Sequence, residues 1–123
     1  MARILIIDDD NEFREMVREI LIEADFNSIE EAVNGGVGMK LLRQQSFDLV
    51  ITDIVMPEKE GIETIIELNR DYPGIKIIAM SGGGKRGNQN YLEMAQYLGA
   101  SRILAKPFQR SDLIKTVKEL LHK

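Results

Sequence analysis

Short apolar runs alternate with amphipathic segments along this chain, and the alternation constrains its fold more than any other feature. The apolar runs have strand length and comprise residues 4–7, 49–51, 75–80 and 103–105, with a weaker one at residues 28–33. Such continuous runs are typical of strands buried on both faces of a parallel sheet. Apolar residues recur at helical spacing over residues 13–24, 37–45, 62–66, 91–98 and 113–121. The order strand then helix therefore repeats five times.

Five strand–helix units with short connections predict an α/β fold in which helices cover both faces of an open sheet. A flavodoxin-like (βα)5 doubly wound five-stranded parallel sheet, with strand order 2-1-3-4-5, has this pattern. We expect a single domain over residues 1–123, because a chain of this length leaves no room for a second core. Such sheets bind ligands beyond the carboxyl ends of their strands, so polar residues there are the candidates for function.

The composition excludes several classes of function. With no cysteine, the chain has no thiol nucleophile, thiolate zinc site or iron–sulfur cluster. Sixteen basic and twenty acidic side chains give a net charge of −4, which argues against direct binding to nucleic acid or to an anionic membrane. No apolar run approaches the roughly 20 residues of a membrane-spanning helix. We therefore expect a cytoplasmic protein.

Acidic residues follow two of the predicted strands. Asp8, Asp9 and Asp10 come after the first strand, and Asp53 ends the third. Carboxylates brought together at one sheet edge repel one another unless a cation compensates them, and hard oxygen ligands suit Mg²⁺. The pattern therefore favours a divalent-metal site. Two simpler interpretations stay open: Asp10 suits the cap of the following helix, and the other acids suit a solvated loop.

A hydroxyl and an ammonium follow the last two strands. Ser81 ends the fourth strand before three glycines, and Lys106 ends the fifth before Pro107. With Asp53 and a metal, they are the groups that stabilise a transferred phosphoryl group: a nucleophilic carboxylate, a bridging cation and donors to the remaining oxygens. Ser81 or Lys106 alone is more typical of a solvated loop, but the combination at four strand ends predicts phosphoryl transfer to an aspartate.

The chain resembles the receiver domain of two-component response regulators over essentially its whole length. The matching segments are Ile4-Leu-Ile-Ile-Asp-Asp9, Asn34-Gly35, Phe47-Asp-Leu-Val-Ile-Thr-Asp53, Met56-Pro57 with Gly61, Ile77-Ile-Ala-Met-Ser81, Gly99-Ala100 and Lys106-Pro107-Phe108. By this resemblance, Asp53 accepts the phosphoryl group, the Ser81 hydroxyl moves to bond it, and the Lys106 ammonium pairs with it. The implied ligands of Mg²⁺ are the carboxylates of Asp8, Asp9 and Asp53, direct or through water, and the main-chain carbonyl of Val55. The Lys106–Pro107 peptide bond is expected to be cis.

The resemblance also implies partners and an activity. The phosphoryl donor would be a sensor histidine kinase or a histidine phosphotransfer protein, and the phosphorylated surface would contact a downstream protein that the sequence does not identify. The chain would catalyse only its own phosphorylation and dephosphorylation, and would not be an enzyme for a separate substrate. No direct contact with nucleic acid or a membrane is expected.

Two departures from the family pattern concern switching. Ile103 stands three positions before Lys106, where many receivers carry Tyr or Phe, so switching would proceed by backbone shifts and by repacking near Ile103. Residues 82–90 are predicted to form a loop a few residues longer than is usual in the family. This loop is either plainly flexible or a lid that brings Lys85 or Arg86 to the phosphoryl group.

A third departure concerns the lifetime of the phosphoryl group. Val55 and Gly83 lie two positions beyond Asp53 and Ser81, at positions that tune hydrolysis in the family. Neither side chain can position a water molecule, so we expect a long-lived phosphoryl-aspartate.

Two other interpretations remain, a phosphatase and a docking module, and a flavin carrier is disfavoured. In haloacid-dehalogenase-type phosphatases the nucleophile follows the first strand, so Asp8 and Asp10 would act with Ser81 and Lys106, but Glu12 stands where that family has Thr or Val. A flavin carrier of the flavodoxin type needs a phosphate loop rich in hydroxyls or amides, whereas the loop here is acidic. A binding module could keep the same pocket and serve only as a docking surface.

Overall fold

The computed structural model describes residues 2–54, 60–81 and 88–121, and within them it confirms the predicted alternation of strands and helices. The strands are β1 (Arg3–Ile7), β2 (Ser28–Ala32), β3 (Leu49–Asp53), β4 (Lys76–Ser81) and β5 (Arg102–Ala105). The helices are α1 (Asn11–Glu23), α2 (Gly35–Gln44), α3 (Glu60–Asp71), α4 (Asn88–Leu98) and α5 (Arg110–Leu121). None of these helices has both the length and the apolar character that crossing a membrane requires.

The strands form one parallel sheet in the order β2-β1-β3-β4-β5, which confirms the predicted flavodoxin-like topology. The register aligns the strand ends through the pairs Ile7–Thr52, Asp53–Met80 and Ser81–Ala105. Asp8 after β1 and Lys106 after β5 therefore reach the same edge of the sheet as the ends of β3 and β4. The strand order reverses at β1, and ligands of such sheets bind beside that point.

Side chains that alternate along the strands divide the core into two layers. On one face, Leu5, Ile7 and Val50 pack with α2, α3 and α4. On the other face, Ile4 and Ile6 pack with α1 and α5. These strand side chains are fully buried, and each such Leu or Ile contributes roughly 1.5–3 kcal/mol through the hydrophobic effect. The sheet is therefore a firmly packed platform for the polar residues at its carboxyl edge.

Helix α4 begins three residues earlier than the apolar pattern predicted, at Asn88 instead of residue 91. Residues 88–90 are Asn, Gln and Asn, which add nothing to an apolar periodicity and so gave no helical signal. Residues 88–90 therefore do not belong to the loop predicted over residues 82–90, since they are helical. Residues 82–87 lie outside the described part of the chain.

Gly61 lets the first turn of α3 lie directly against the chain that follows the third strand. A Cβ atom at Gly61 would stand 2.3 Å from the Cα atom of Ile54 and 2.5 Å from the carbonyl oxygen of Asp53. Backbone atoms cannot rotate away as the end of a flexible side chain can. Either α3 or the backbone of Asp53 must therefore move to accept any side chain at this position.

We expect the substitution Gly61→Ala to lower the free energy of unfolding by about 1–3 kcal/mol, the range typical of overpacking, in urea denaturation. Gly74→Ala is the matched control, because nothing lies within 4 Å of a Cβ atom added at Gly74. The control should stay within about 0.5 kcal/mol of the wild type. A Gly61→Ala protein as stable as the control would contradict the close approach of α3 to the backbone of Asp53 and Ile54.

Candidate functional site

Three carboxylates converge at the carboxyl edge of the sheet. Asp8, Asp9 and Asp53 each place one oxygen atom within 4.8 Å of the others. Asp8 and Asp53 are buried, whereas Asp9 is exposed. Like charges held this close, two of them away from water, repel strongly unless a cation lies between them. The cluster could therefore hold a metal ion, and its all-oxygen donor set fits a hard divalent cation such as Mg²⁺.

Asp10 does not belong to this cluster, because its side chain caps α1. Its Oδ1 atom accepts hydrogen bonds from the backbone N–H groups of Glu12, at 3.0 Å, and Phe13, at 3.2 Å. An N-cap carboxylate of this kind satisfies helical donors that have no partner within the helix. The simpler interpretation of Asp10 is therefore confirmed.

Lys106 brings a cation to the acidic cluster. Its Nζ atom lies 3.1 Å from Oδ2 of Asp8 and 3.7 Å from Oδ2 of Asp53, and its side chain is only 15% exposed. The backbone N–H of Lys106 donates to the carbonyl of Ser81 at 2.8 Å, and the peptide bond to Pro107 is cis, as predicted. Lys106 is therefore a fixed member of the site and not a solvated turn residue.

Ser81 carries the hydroxyl predicted at this edge. The residue is 2% exposed, and its Oγ atom has no hydrogen-bond partner among the residues that the structure describes. A buried polar group without a partner typically costs about 1–3 kcal/mol. Among the described residues nothing satisfies this hydroxyl, so it could bond a ligand at this edge of the sheet.

We expect Ser81→Ala to leave the free energy of unfolding unchanged or to raise it by about 1 kcal/mol, because it removes a hydroxyl that no described residue satisfies. Ser101→Ala is the control, since the Oγ atom of Ser101 accepts a hydrogen bond from the N–H of Ile77 at 3.2 Å. The control should lose about 1 kcal/mol, because that N–H loses its acceptor. The free energies of unfolding of both variants are measured by urea denaturation. A larger decrease for Ser81→Ala than for Ser101→Ala would show that the Ser81 hydroxyl has a partner in the resting protein.

Arg14 supports the loop that carries Asp8, and the sequence interpretation missed it. Its guanidinium donates to the carbonyl oxygen of Asp8 at 2.7 Å, to Oδ1 of Asn11 at 2.7 Å and to Oε1 of Glu31 at 2.8 Å. Glu31 also pairs with Arg18 at 3.2 Å. Arg14 therefore ties the acidic loop after β1 to β2 through charge-assisted hydrogen bonds.

We expect Arg14→Met, which keeps the apolar stem of the side chain, to weaken Mg²⁺ binding about tenfold in isothermal titration calorimetry. The reason is that the backbone carrying Asp8 and Asp9 loses its donor. Arg18→Met is the matched control, because the Arg18 guanidinium bonds Glu31 and the carbonyl oxygen of Ile29 and not Asp8. Equal Mg²⁺ affinities of the two variants would exclude a role for Arg14 at the acidic loop.

Several predicted features fall outside the described residues. These are the main-chain carbonyl of Val55 as a metal ligand, Gly83 as a position that affects hydrolysis, and Lys85 and Arg86 as parts of a lid. Ile103, which replaces an aromatic residue of the family pattern, is described: it is partly buried and packs against the core layer shared by α2, α3 and α4.

Comparisons with known proteins identify a matching family model, related proteins and similar structures. A family model for the response regulator receiver domain matches residues 4–118. The chain is 33% identical over 120 residues to the chemotaxis protein CheY of Bacillus subtilis, and 34% identical over 122 residues to CheY of Halobacterium salinarum. Each of these matches covers 98% of this chain and 98% of the relative. A CheY-like receiver domain protein from Methanospirillum hungatei has a TM-score of 0.84 at 30% identity, over 97% of this chain and 92% of that one. The receiver domain of NtrX from Brucella abortus supports the fold, with a TM-score of 0.89 at 24% identity over 98% of both chains.

Proposed function

Because the chain belongs to the response regulator receiver domain family, we propose that it is a phosphoacceptor of two-component signalling, with Asp53 as the acceptor. One observation carries the proposal: the buried Asp53 carboxylate lies 3.7 Å from the Lys106 ammonium and shares an acidic cluster with Asp8 and Asp9. A carboxylate nucleophile beside a fixed cation and metal-competent oxygens suits phosphoryl transfer. We take residues 1–123 as one receiver domain.

In the proposed reaction, a carboxylate oxygen of Asp53 attacks the phosphorus of a phosphohistidine on a sensor histidine kinase or a histidine phosphotransfer protein. The P–O bond forms as the P–N bond breaks, and the electron pair of the P–N bond stays on the imidazole nitrogen. Bound Mg²⁺ would supply positive charge to the phosphoryl oxygens. The proposed ligands are the carboxylates of Asp8, Asp9 and Asp53, with the main-chain carbonyl of Val55. The chain modifies only itself in this reaction, in keeping with receiver domains as signalling domains.

Lys106 and Ser81 have different tasks in this proposal. The Lys106 ammonium faces Asp8 and Asp53 in the resting protein, and after transfer it pairs with a phosphoryl oxygen. The Ser81 hydroxyl, which lacks a described partner at rest, would gain an acceptor in another phosphoryl oxygen. A contact that forms only after phosphorylation stabilises the conformation in which it forms. These two contacts would thus couple the chemistry to a surface that a downstream protein recognises.

A phosphatase of the haloacid-dehalogenase type gains no support from the site. That mechanism needs the second carboxylate after the first strand to be available for chemistry. In this protein, Asp10 bonds two backbone N–H groups as the cap of α1. Asp8 is itself held by the N–H of Asp10 at 2.9 Å and by Lys106 at 3.1 Å.

The test is intact mass spectrometry of the wild type and of Asp53→Asn after incubation with phosphoramidate, with and without Mg²⁺. We expect a single Mg²⁺-dependent phosphoryl adduct on the wild type that hydroxylamine removes, as it does acyl phosphates, and no adduct on Asp53→Asn. An adduct that persists on Asp53→Asn would move the nucleophile to Asp8. A folded wild type that forms no adduct would favour a docking module instead.

A further inference from the structure

A pair of aromatic rings lies beside the proposed acceptor site. Phe13 belongs to α1, and Phe108 follows Pro107 after β5. Their ring centroids are 5.8 Å apart and the rings are inclined at 80°, which is an edge-to-face contact. Both side chains are partly buried against the core layer shared by α1 and α5. The plane of the Phe13 ring is therefore constrained by the core and by Phe108.

The face of the Phe13 ring contacts the ammonium of Lys106. The Nζ atom stands 3.8 Å from the ring centroid, well within the distance at which the negative face of an aromatic ring attracts a cation. Lys106 is only 15% exposed, so little water weakens this attraction. Among the described residues, the ammonium thus has three attractive neighbours: the carboxylates of Asp8 and Asp53 and the ring of Phe13.

These three neighbours differ in whether phosphorylation would change their interaction with the Lys106 ammonium. Asp8 and Asp53 would both change their interactions during the proposed reaction, Asp53 by becoming an acyl phosphate and Asp8 by sharing its oxygens with a metal ion. The Phe13 ring has no charge to neutralise and no atom that binds a metal. Its attraction for the ammonium therefore depends on neither the charge of Asp53 nor a bound metal ion. A lysine side chain has four rotatable bonds, so a fixed surface against its ammonium removes many unproductive conformations.

We propose that Phe13 is a positioning residue that holds the Lys106 ammonium beside Asp53 through the face of its ring. This inference rests on the proposed phosphoacceptor function for its kinetic consequence, but the contact itself does not depend on phosphorylation. By this inference, α1 helps to place the Lys106 side chain, which follows β5.

The test compares Phe13→Leu, which keeps an apolar side chain but has no ring face, with Phe13→Tyr, which keeps the face. Phe26→Leu is the control for lost core packing, because Phe26 is also partly buried against the same core layer. The rate of adduct formation from phosphoramidate is measured for each protein at saturating Mg²⁺. We expect Phe13→Leu to react about 3- to 30-fold more slowly than the wild type, and Phe13→Tyr and Phe26→Leu to stay within about twofold.

A second measurement does not require phosphorylation. The proton resonances of the Lys106 side chain, observed by NMR, should be shifted upfield by the ring in the wild type and in Phe13→Tyr, and this shift should vanish in Phe13→Leu. A wild-type rate for Phe13→Leu, equal slowing of Phe13→Leu and Phe26→Leu, or an unchanged Lys106 resonance in Phe13→Leu would overturn the inference. A wild type that never forms the adduct would refute only the proposed function. The NMR comparison would then show whether the Phe13 ring contacts the Lys106 ammonium.

Discussion

The ammonium of Lys106 allows the fold to bury charges that would otherwise oppose folding. Asp8 is completely buried, and a buried carboxylate without a partner costs several kcal/mol. Lys106 supplies that partner from 98 positions further along the chain. The pair can form only when β1 and β5 have both joined the sheet, where β3 and β4 separate them. The acidic edge and the completed sheet therefore depend on each other.

Much of the fold was predictable because it depends on signals that are local in the sequence. The apolar runs at residues 4–7 and 75–80 indicate strands buried on both faces, and the structure places both in the interior of the sheet. Parallel strands with helical crossovers bring their carboxyl ends to one edge. For this reason Asp8, Asp53 and Lys106 could be expected near one another from their positions alone, and the structure brings them within contact distance.

The contacts that support the site were not predictable, because they depend on tertiary packing. Phe13 falls in the apolar stripe of α1 together with Val17, so helical periodicity assigns it to the core and cannot indicate an ammonium on its face. Arg14 is a charged residue on a helix, and such residues are mostly solvated. Its role depends on Glu31, which the pairing of β1 with β2 brings alongside α1. The early start of α4 was missed for a different reason, since its first residues are polar.

Glu31 has a second consequence, because β2 is an outermost strand of the sheet. An outermost strand offers backbone donors and acceptors to other chains, and natural proteins discourage such pairing with short strands and charged side chains. β2 has only five residues, and Glu30 and Glu31 stand next to each other in it. Both features are of the kind that discourages a second copy from adding its own β2 there. The residue that anchors Arg14 thus also contributes one of the charged side chains on this outermost strand.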